Sequence, residues 1–426
     1  MKIRKALLCT GWGFLAAVTL INPSVANAKR KPAVLRVDAT EASVKVYQVK
    51  QGNIYSNYQL TKIKNKSNSY KGDTFYSNET VTVRKSNGKS AVYRVLANRY
   101  GKDFGYIWHG NVKKIKTMSW NFGDYDAPTK ESDNLGKFFT PSEQDQVKQL
   151  RDKAAAIGNS TKDMYARKVS TSGTFDAGQL SNSYIQATVD WINFYRQLYG
   201  LSSVTANSQW NTEAQFGAAA LDAADQGLSH GLVGLAKPDN ISSSDWDRGA
   251  DATASSNLAD GVTGPYDVIS LYMNDSGNDV PGHREWLLGG INQVGVGQAG
   301  EYNDLKVFDD NDQNTTPGNQ IVYPNSGLFP FDESLDTKWS VELPQSIDEN
   351  SQPSISVYDN TAKTNVSVDD VTVSNTGYGN WGTSISYMPG DGDVKVNHSY
   401  SVKISNLPDS IPDISYTTKL FSLNVD

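Results

Sequence analysis

The segment DSGNDVPGHREWLLGGINQVGVGQAG, Asp275 to Gly300, decides how the rest of the chain is read. Gly282 stands directly before His283, where the lack of a side chain lets the backbone approach a neighbour closely. Val294-Gly295-Val296-Gly297 predicts a buried strand whose glycines leave room for packing. Imidazole is the side chain best suited to metal binding or proton transfer near neutral pH. The chain has only 4 histidines (His109, His230, His283 and His398), so one placed in such a turn is a candidate for chemistry.

Outward from this segment, the N-terminus speaks to compartment. Lys2, Arg4 and Lys5 precede an apolar run from Ala6 to Ile21, and SVANA ends at Ala28 in the small residues of a signal-peptidase site. Residues 1–28 are read as a signal peptide and not as a retained anchor, because the apolar run is short and Pro23 follows it. Cys9, the one cysteine, lies in this segment. A cysteine-free mature chain that is secreted points to a Gram-positive bacterium, with no disulfide framework, no thiol chemistry and no transmembrane segment after cleavage.

The net charge of −6 hides an asymmetry. Residues 29–116 carry 19 Lys and Arg against 5 Asp and Glu, a balance of +14, whereas residues 117–426 carry 18 against 41, a balance of −23. One region is built to meet a polyanion. No recognition helix or base-stacking motif accompanies the charge, so nucleic acid is set aside and an anionic cell-wall polymer, teichoic acid or peptidoglycan, is the expected partner.

Residues 29–116 are expected to be all β, with SVKVYQV, ETVTVRK and SAVYRVL separated by KQGN, YKGD and SNGK turns. GNIYSNYQLTK and FGYIWHGNVKKI give this region the aromatic-and-glycine texture of a small barrel, with Tyr106 and Trp108 as candidate wall-binding residues and His109 as a surface strand residue. Residues 117–170 form a connector with one helix, opened by the Thr140-Pro141-Ser142-Glu143 capping box and stopped at Gly158. In residues 171–330, SYIQATVDWINFYRQLYG places Ile185, Val189, Ile192, Tyr195 and Tyr199 on one helical face. A second helix capped near Asn207 delivers His230, and a third, PYDVISLYMND, leads into the opening segment. Residues 331–426 return to short strands (SISVYD, VTVSN, TSISYM, YSVKISNL) at the spacing of an immunoglobulin-like sandwich, with Trp381 and Tyr400 in its core and His398 solvated.

Four motifs in order, INFYRQLYGLSSV with Asn193 and Arg196, SH at 229–230, SSNL at 255–258, and GHREWLLGGINQVGVG, resemble the CAP superfamily of cysteine-rich secretory, antigen 5 and pathogenesis-related proteins in its bacterial secreted branch. Residues 29–116 more loosely resemble the Src-homology-3-like modules that bind cell walls. The resemblance implies a multidomain α+β chain: a central CAP α-β-α sandwich flanked by an N-terminal small β-barrel and a C-terminal immunoglobulin-like sandwich. It also implies a cleft lined by two histidines and two acids that in some members hold a divalent metal. His230 and His283 match the histidines, and Asp275 matches one acid with a shorter side chain. Ser256 stands where the other acid belongs. Two imidazoles and a carboxylate suit zinc rather than calcium, and Arg284 is a further candidate for orienting a ligand. Asp310, Asp312 and Asn314 have the spacing of a calcium loop but lack its turn glycine and closing acid, and are read as a solvated loop. A Ser256–His283–Asp275 hydrolytic relay lacks the glycines of a nucleophile elbow.

Three functions follow as expectations. The favoured one is a secreted wall-associated protein whose CAP cleft binds a small molecule, lipid or peptide, with or without a metal. The alternatives are a metal-assisted hydrolase of peptide or peptidoglycan, and a structural adhesin with a vestigial cleft.

Overall fold

The computed structural model describes residues 33–38, 44–57, 60, 62–65, 74–85, 89–97, 103–118, 135–308, 317–335, 337–390, 394–423 and 425. The expected signal peptide and the Asp310–Asn314 loop lie outside the described residues. Among those described, the chain is mixed α/β, with helices α1 (Leu135–Phe138), α2 (Pro141–Ile157), α3 (Asn182–Leu198), α4 (Ser208–Ala224), α5 (Ser243–Thr253), α6 (Pro265–Asn274) and α7 (Gly282–Leu287) among several sheets. None of these helices is long and apolar enough to cross a membrane.

The VGVG segment explains the central layer. It forms strand Gln293–Ala299, antiparallel to Tyr302–Lys306 and parallel to Thr205–Ala206, and Tyr302–Lys306 pairs in turn with Ser256–Asp260. Successive residues of a strand point to opposite faces. A Cβ on Gly295 or Gly297 would strike the α4 backbone at Trp210 and Ala214, so on this face bare glycines let the helix lie directly on the sheet. Val294 and Val296 face the other way, into a core shared with Trp191, Ile192 and Tyr195 of α3 and Val268, Ile269 and Tyr272 of α6. The alternation of Val and Gly thus specifies a helical layer on each face. Helix α3 is buried beyond its expected stripe, since Tyr184, Thr188, Trp191 and Phe194 are enclosed as well.

The caps form as the sequence dictates. Thr140 and Glu143 make the reciprocal capping box of α2, and Asn207 accepts from the Gln209 and Trp210 amides at the start of α4.

The N-terminal region is an eight-stranded sheet ordered Ile63–Asn65, Ile54–Tyr55, Asp103–Trp108, Ser90–Ala97, Thr74–Arg84, Val44–Val49, Val112–Met118, with Ala33–Asp38 also on Thr74–Arg84. The expected barrel does not close among the described residues, because no pairing joins the two ends of this path. On one edge of the eleven-residue strand Thr74–Arg84 the first part pairs with Val44–Val49 and the last part with Ala33–Asp38, and on its other edge the register shifts between Tyr76 and Glu79.

The C-terminal region has a four-stranded sheet (Ile321–Tyr323, Trp339–Leu343, Thr383–Pro389, Val368–Ser374) and a five-stranded one (Gly327–Pro330, Ile414–Phe421, Ser399–Ser405, Ser354–Asp359, Thr364–Val366), each given in spatial order. Ile321–Tyr323 and Gly327–Pro330, placed by sequence before the boundary at residue 330, pair into these two sheets. Trp381 and Tyr400 are core residues as expected. His398 is only partly exposed, where the sequence suggested a solvated ring: its Nδ1 lies 2.6 Å from Asp359 Oδ2, and Asp359 also accepts the amides of Thr361 and Ala362. One hydrophobic core runs without interruption from Phe139 through the central sheet to Leu423.

Candidate ligand-binding site

The opening segment answers its own question through Gly282. A Cβ there would enter the ring of Tyr378, in the turn Tyr378–Asn380 of the C-terminal region. Gly289 likewise abuts Gly379, whose carbonyl accepts the Gly290 amide at 2.8 Å. The glycines of this motif therefore seat the C-terminal region on α7.

His283 occupies the first turn of α7, and Asp275 ends α6 with a left-handed backbone, φ 54°. The eight-residue span between them folds Asp275 Oδ1 to 2.7 Å from His283 Nδ1. The same oxygen accepts Asn278 Nδ2 at 2.7 Å, and Oδ2 accepts the Arg284 amide at 3.2 Å. Burial alone would raise the Asp275 pKa, but the opposing His283 and Arg284 interactions prevail and hold its carboxyl below the usual range. The His283 side chain is 17% exposed and its ring lies 5.3 Å from that of Tyr272. Asn257 donates to the His283 carbonyl at 3.1 Å and accepts the Tyr272 hydroxyl on its own carbonyl at 3.0 Å. With Nδ1 committed to a carboxylate, the tautomer and direction of this imidazole are set, and its chemistry falls to Nε2.

His230 starts the turn His230–Leu232 beyond α4, and its Nδ1 lies 2.8 Å from the Thr253 carbonyl at the end of α5. Thr253 and Asn257 bracket one five-residue stretch, so the two histidines are fastened to the same join between α5 and strand Ser256–Asp260. Ser256 lies inside that stretch, buried, with its hydroxyl donated to the Ala252 carbonyl at 2.9 Å. The Ser256–His283–Asp275 relay is therefore not assembled.

Arg284 departs from its expected role. It is 1% exposed, and its guanidinium turns into the sandwich, donating to Lys338 O at 2.7 Å and lying 3.5 Å from the Tyr323 ring centroid. It supports the dyad through its backbone amide, and its side chain is buried. Arg196 is similarly structural: its guanidinium donates to the carbonyls of Ser202, Leu287, Gly289 and Ile291 and so fixes the strand-entry loop.

Three contributors were missed in the sequence. Tyr272 precedes Asp275 by three residues, a spacing that places side chains together on a helix, and Asn257 follows Ser256 directly. Asp304, in strand Tyr302–Lys306, gave no local signal. It lies beneath Gly217 and beside Thr253, close to Ser256, and burial lifts its carboxyl to about 8. A carboxyl is thus supplied close to Ser256 from another strand.

The donor chemistry bears on the metal expectation. Each imidazole is held through Nδ1 by an oxygen, the arrangement that supports Nε2 ligation. Asp275 does not fit as a third ligand, since it is engaged by His283, Asn278 and Arg284. Among the described residues, no three His, Cys, Asp or Glu side chains are gathered to hold an ion.

On the N-terminal sheet, Trp108 is 38% exposed and Tyr106 is partly buried two residues earlier on the same face. His109 does not continue the strand but opens the turn His109–Asn111. Burial, followed by the positive charges of Arg94, Lys50 and Lys85, lowers its pKa to about 4.

No protein-family model matches the chain, and neither a curated protein nor a solved structure matches it.

Proposed function

We propose that the chain is a secreted, wall-associated protein of CAP type, whose central α-β-α unit binds a small molecule, lipid or peptide where His230 and His283 are fastened. The observation that carries this reading is the His283–Asp275 contact of 2.7 Å, with the carboxylate side chain fully enclosed and the imidazole partly open. A buried carboxylate spent on orienting one ring is a feature of sites that present a nitrogen to a ligand. A divalent metal, zinc before calcium, enters this reading as a guest of the two imidazoles, with Asp275 behind His283. The +14 balance of residues 29–116 supports docking on an anionic wall polymer.

The hydrolase reading draws support from the same contact, because an oriented imidazole also serves as a general base. Equilibrium dialysis of the purified full chain against zinc, and separately against fragments released from cell walls, tests the site alongside His283→Ala. A loss of at least tenfold in either binding supports the cleft, and equal binding by both proteins overturns it. Peptidoglycan turnover that stops with a chelator and with His283→Ala transfers the reading to the hydrolase.

A further inference from the structure

The N-terminal sheet carries a second, independent constellation. Directly opposed residues of paired strands share a face, and here Tyr93 opposes Trp108 while Tyr55 opposes Tyr106. The Tyr55 and Tyr93 rings meet edge to face at 6.2 Å. Lys85 Nζ stands 5.7 Å from the Trp108 ring centroid and 5.8 Å from that of Tyr93, within cation–π range of both. The His109 ring meets Trp108 edge to face at 5.3 Å. A Cβ on Gly110 would enter the Trp108 six-membered ring, so the glycine lets the indole fold back over its own turn. An exposed indole would otherwise be free to rotate; this one is held, with an ammonium over its ring and an imidazole at its edge.

We propose that the corner made by Trp108, Lys85, His109 and Tyr93 is a subsite for a phosphodiester-linked polyol or sugar polymer. The apolar C–H face of a polyol or sugar unit would lie on the indole, releasing water from both. The phosphodiester would meet the Lys85 ammonium, whose charge rests near both rings. An uncharged glycan would use the indole alone, and the positive balance of residues 29–116 would then serve no contact. This proposal rests on the wall-docking part of the reading above and names its chemistry.

Protonation of His109 is coupled to such binding. In the free protein its ring is surrounded by burial and by Arg94, Lys50 and Lys85, all of which oppose a further positive charge. A bound phosphodiester offsets those charges and raises the His109 pKa in the complex above about 4. A group whose pKa is higher in the complex strengthens binding below its free value and loses that contribution as pH rises through its bound value. Affinity therefore increases as pH falls from 7 toward about 4.

The test is titration of the full chain with purified poly(glycerol phosphate), with uncharged dextran and polyglutamate, a polyanion without phosphodiesters, as comparison polymers. Trp108→Ala and Lys85→Gln are each expected to weaken poly(glycerol phosphate) binding at least tenfold, with thermal unfolding unchanged as the folding control. His109→Asn is expected to keep the affinity at pH 7 and lose its rise toward pH 4. Gly110→Ala, which displaces the indole without removing it, is expected to weaken binding as well. Unchanged binding in Trp108→Ala and Lys85→Gln overturns the proposal, as does equal binding to dextran or polyglutamate. Retention of the full chain on walls stripped of phosphodiester polymer overturns this subsite while leaving wall association in place. Release from all walls, with poly(glycerol phosphate) still bound, does the reverse.

Discussion

The Tyr195 hydroxyl donates to Glu333 Oε1 at 2.6 Å, joining α3 to the turn that leads into the sandwich. The same oxygen accepts Tyr266 at 3.1 Å and Ser270 at 2.9 Å. Burial, and then the neighbouring Asp332 charge, raise the Glu333 carboxyl to about 7, so the folded chain holds this proton more tightly than the unfolded one. Its contribution to stability is complete below the unfolded carboxylate pKa and is lost as pH rises toward about 7. Glu333→Gln is expected to remove a fall on the order of 3 kcal/mol between roughly pH 4.5 and 7, read from denaturant midpoints across that range. An unchanged pH profile would show that folding does not shift the Glu333 carboxyl.

Arg196 satisfies four carbonyls with one planar fork. Lysine keeps the charge but cannot span them, which leaves buried acceptors unpaired at about 1–3 kcal/mol each. Arg196→Lys is therefore expected to cost about 2–4 kcal/mol in urea unfolding, with more lost in Arg196→Ala.

Gly295→Ala drives a methyl group into the backbone of Trp210 on α4. A cost of about 1–3 kcal/mol follows from overpacking, whereas Gly318→Ala, where a Cβ meets nothing, is expected to be neutral within about 0.5 kcal/mol. Matched thermal denaturation of the two variants checks the contrast.

Asp275→Asn keeps the shape of the dyad but removes the charge that fixes His283. The expected result is at least a tenfold loss of zinc retention by the full chain, with the loss recovered in part by Asp275→Glu. Equal retention in all three proteins would show that the orientation of the ring is irrelevant to binding.

Much of the helical and strand order was legible because it rests on local rules. The Thr140–Glu143 box, the Asn207 cap and the Val-Gly alternation each act within a few residues, and the structure follows them. Contacts that depend on distant partners were not legible. His398 looked solvated because its partner Asp359 is 39 residues away on another strand. Arg284 looked available to a ligand because the carbonyl it meets belongs to Lys338, on the far side of the junction. Asp304 escaped notice for a similar reason, since strand pairing alone brings it near Ser256. The Asp275–His283 contact falls between these cases: resemblance singles out the two residues, while their bond depends on how the intervening loop folds.

Arg284 has a consequence for descent. Its amide steadies Asp275 and its guanidinium finishes in the sandwich, at Lys338 and Ser340. A chain that exchanged its C-terminal region for an unrelated one would strand this cation without its acceptors, at a cost of several kcal/mol. The exchange would also loosen the turn that presents His283. Exchange of parts is therefore obstructed at this junction, because the C-terminal sheets and the Asp275–His283 pair depend on the same arginine.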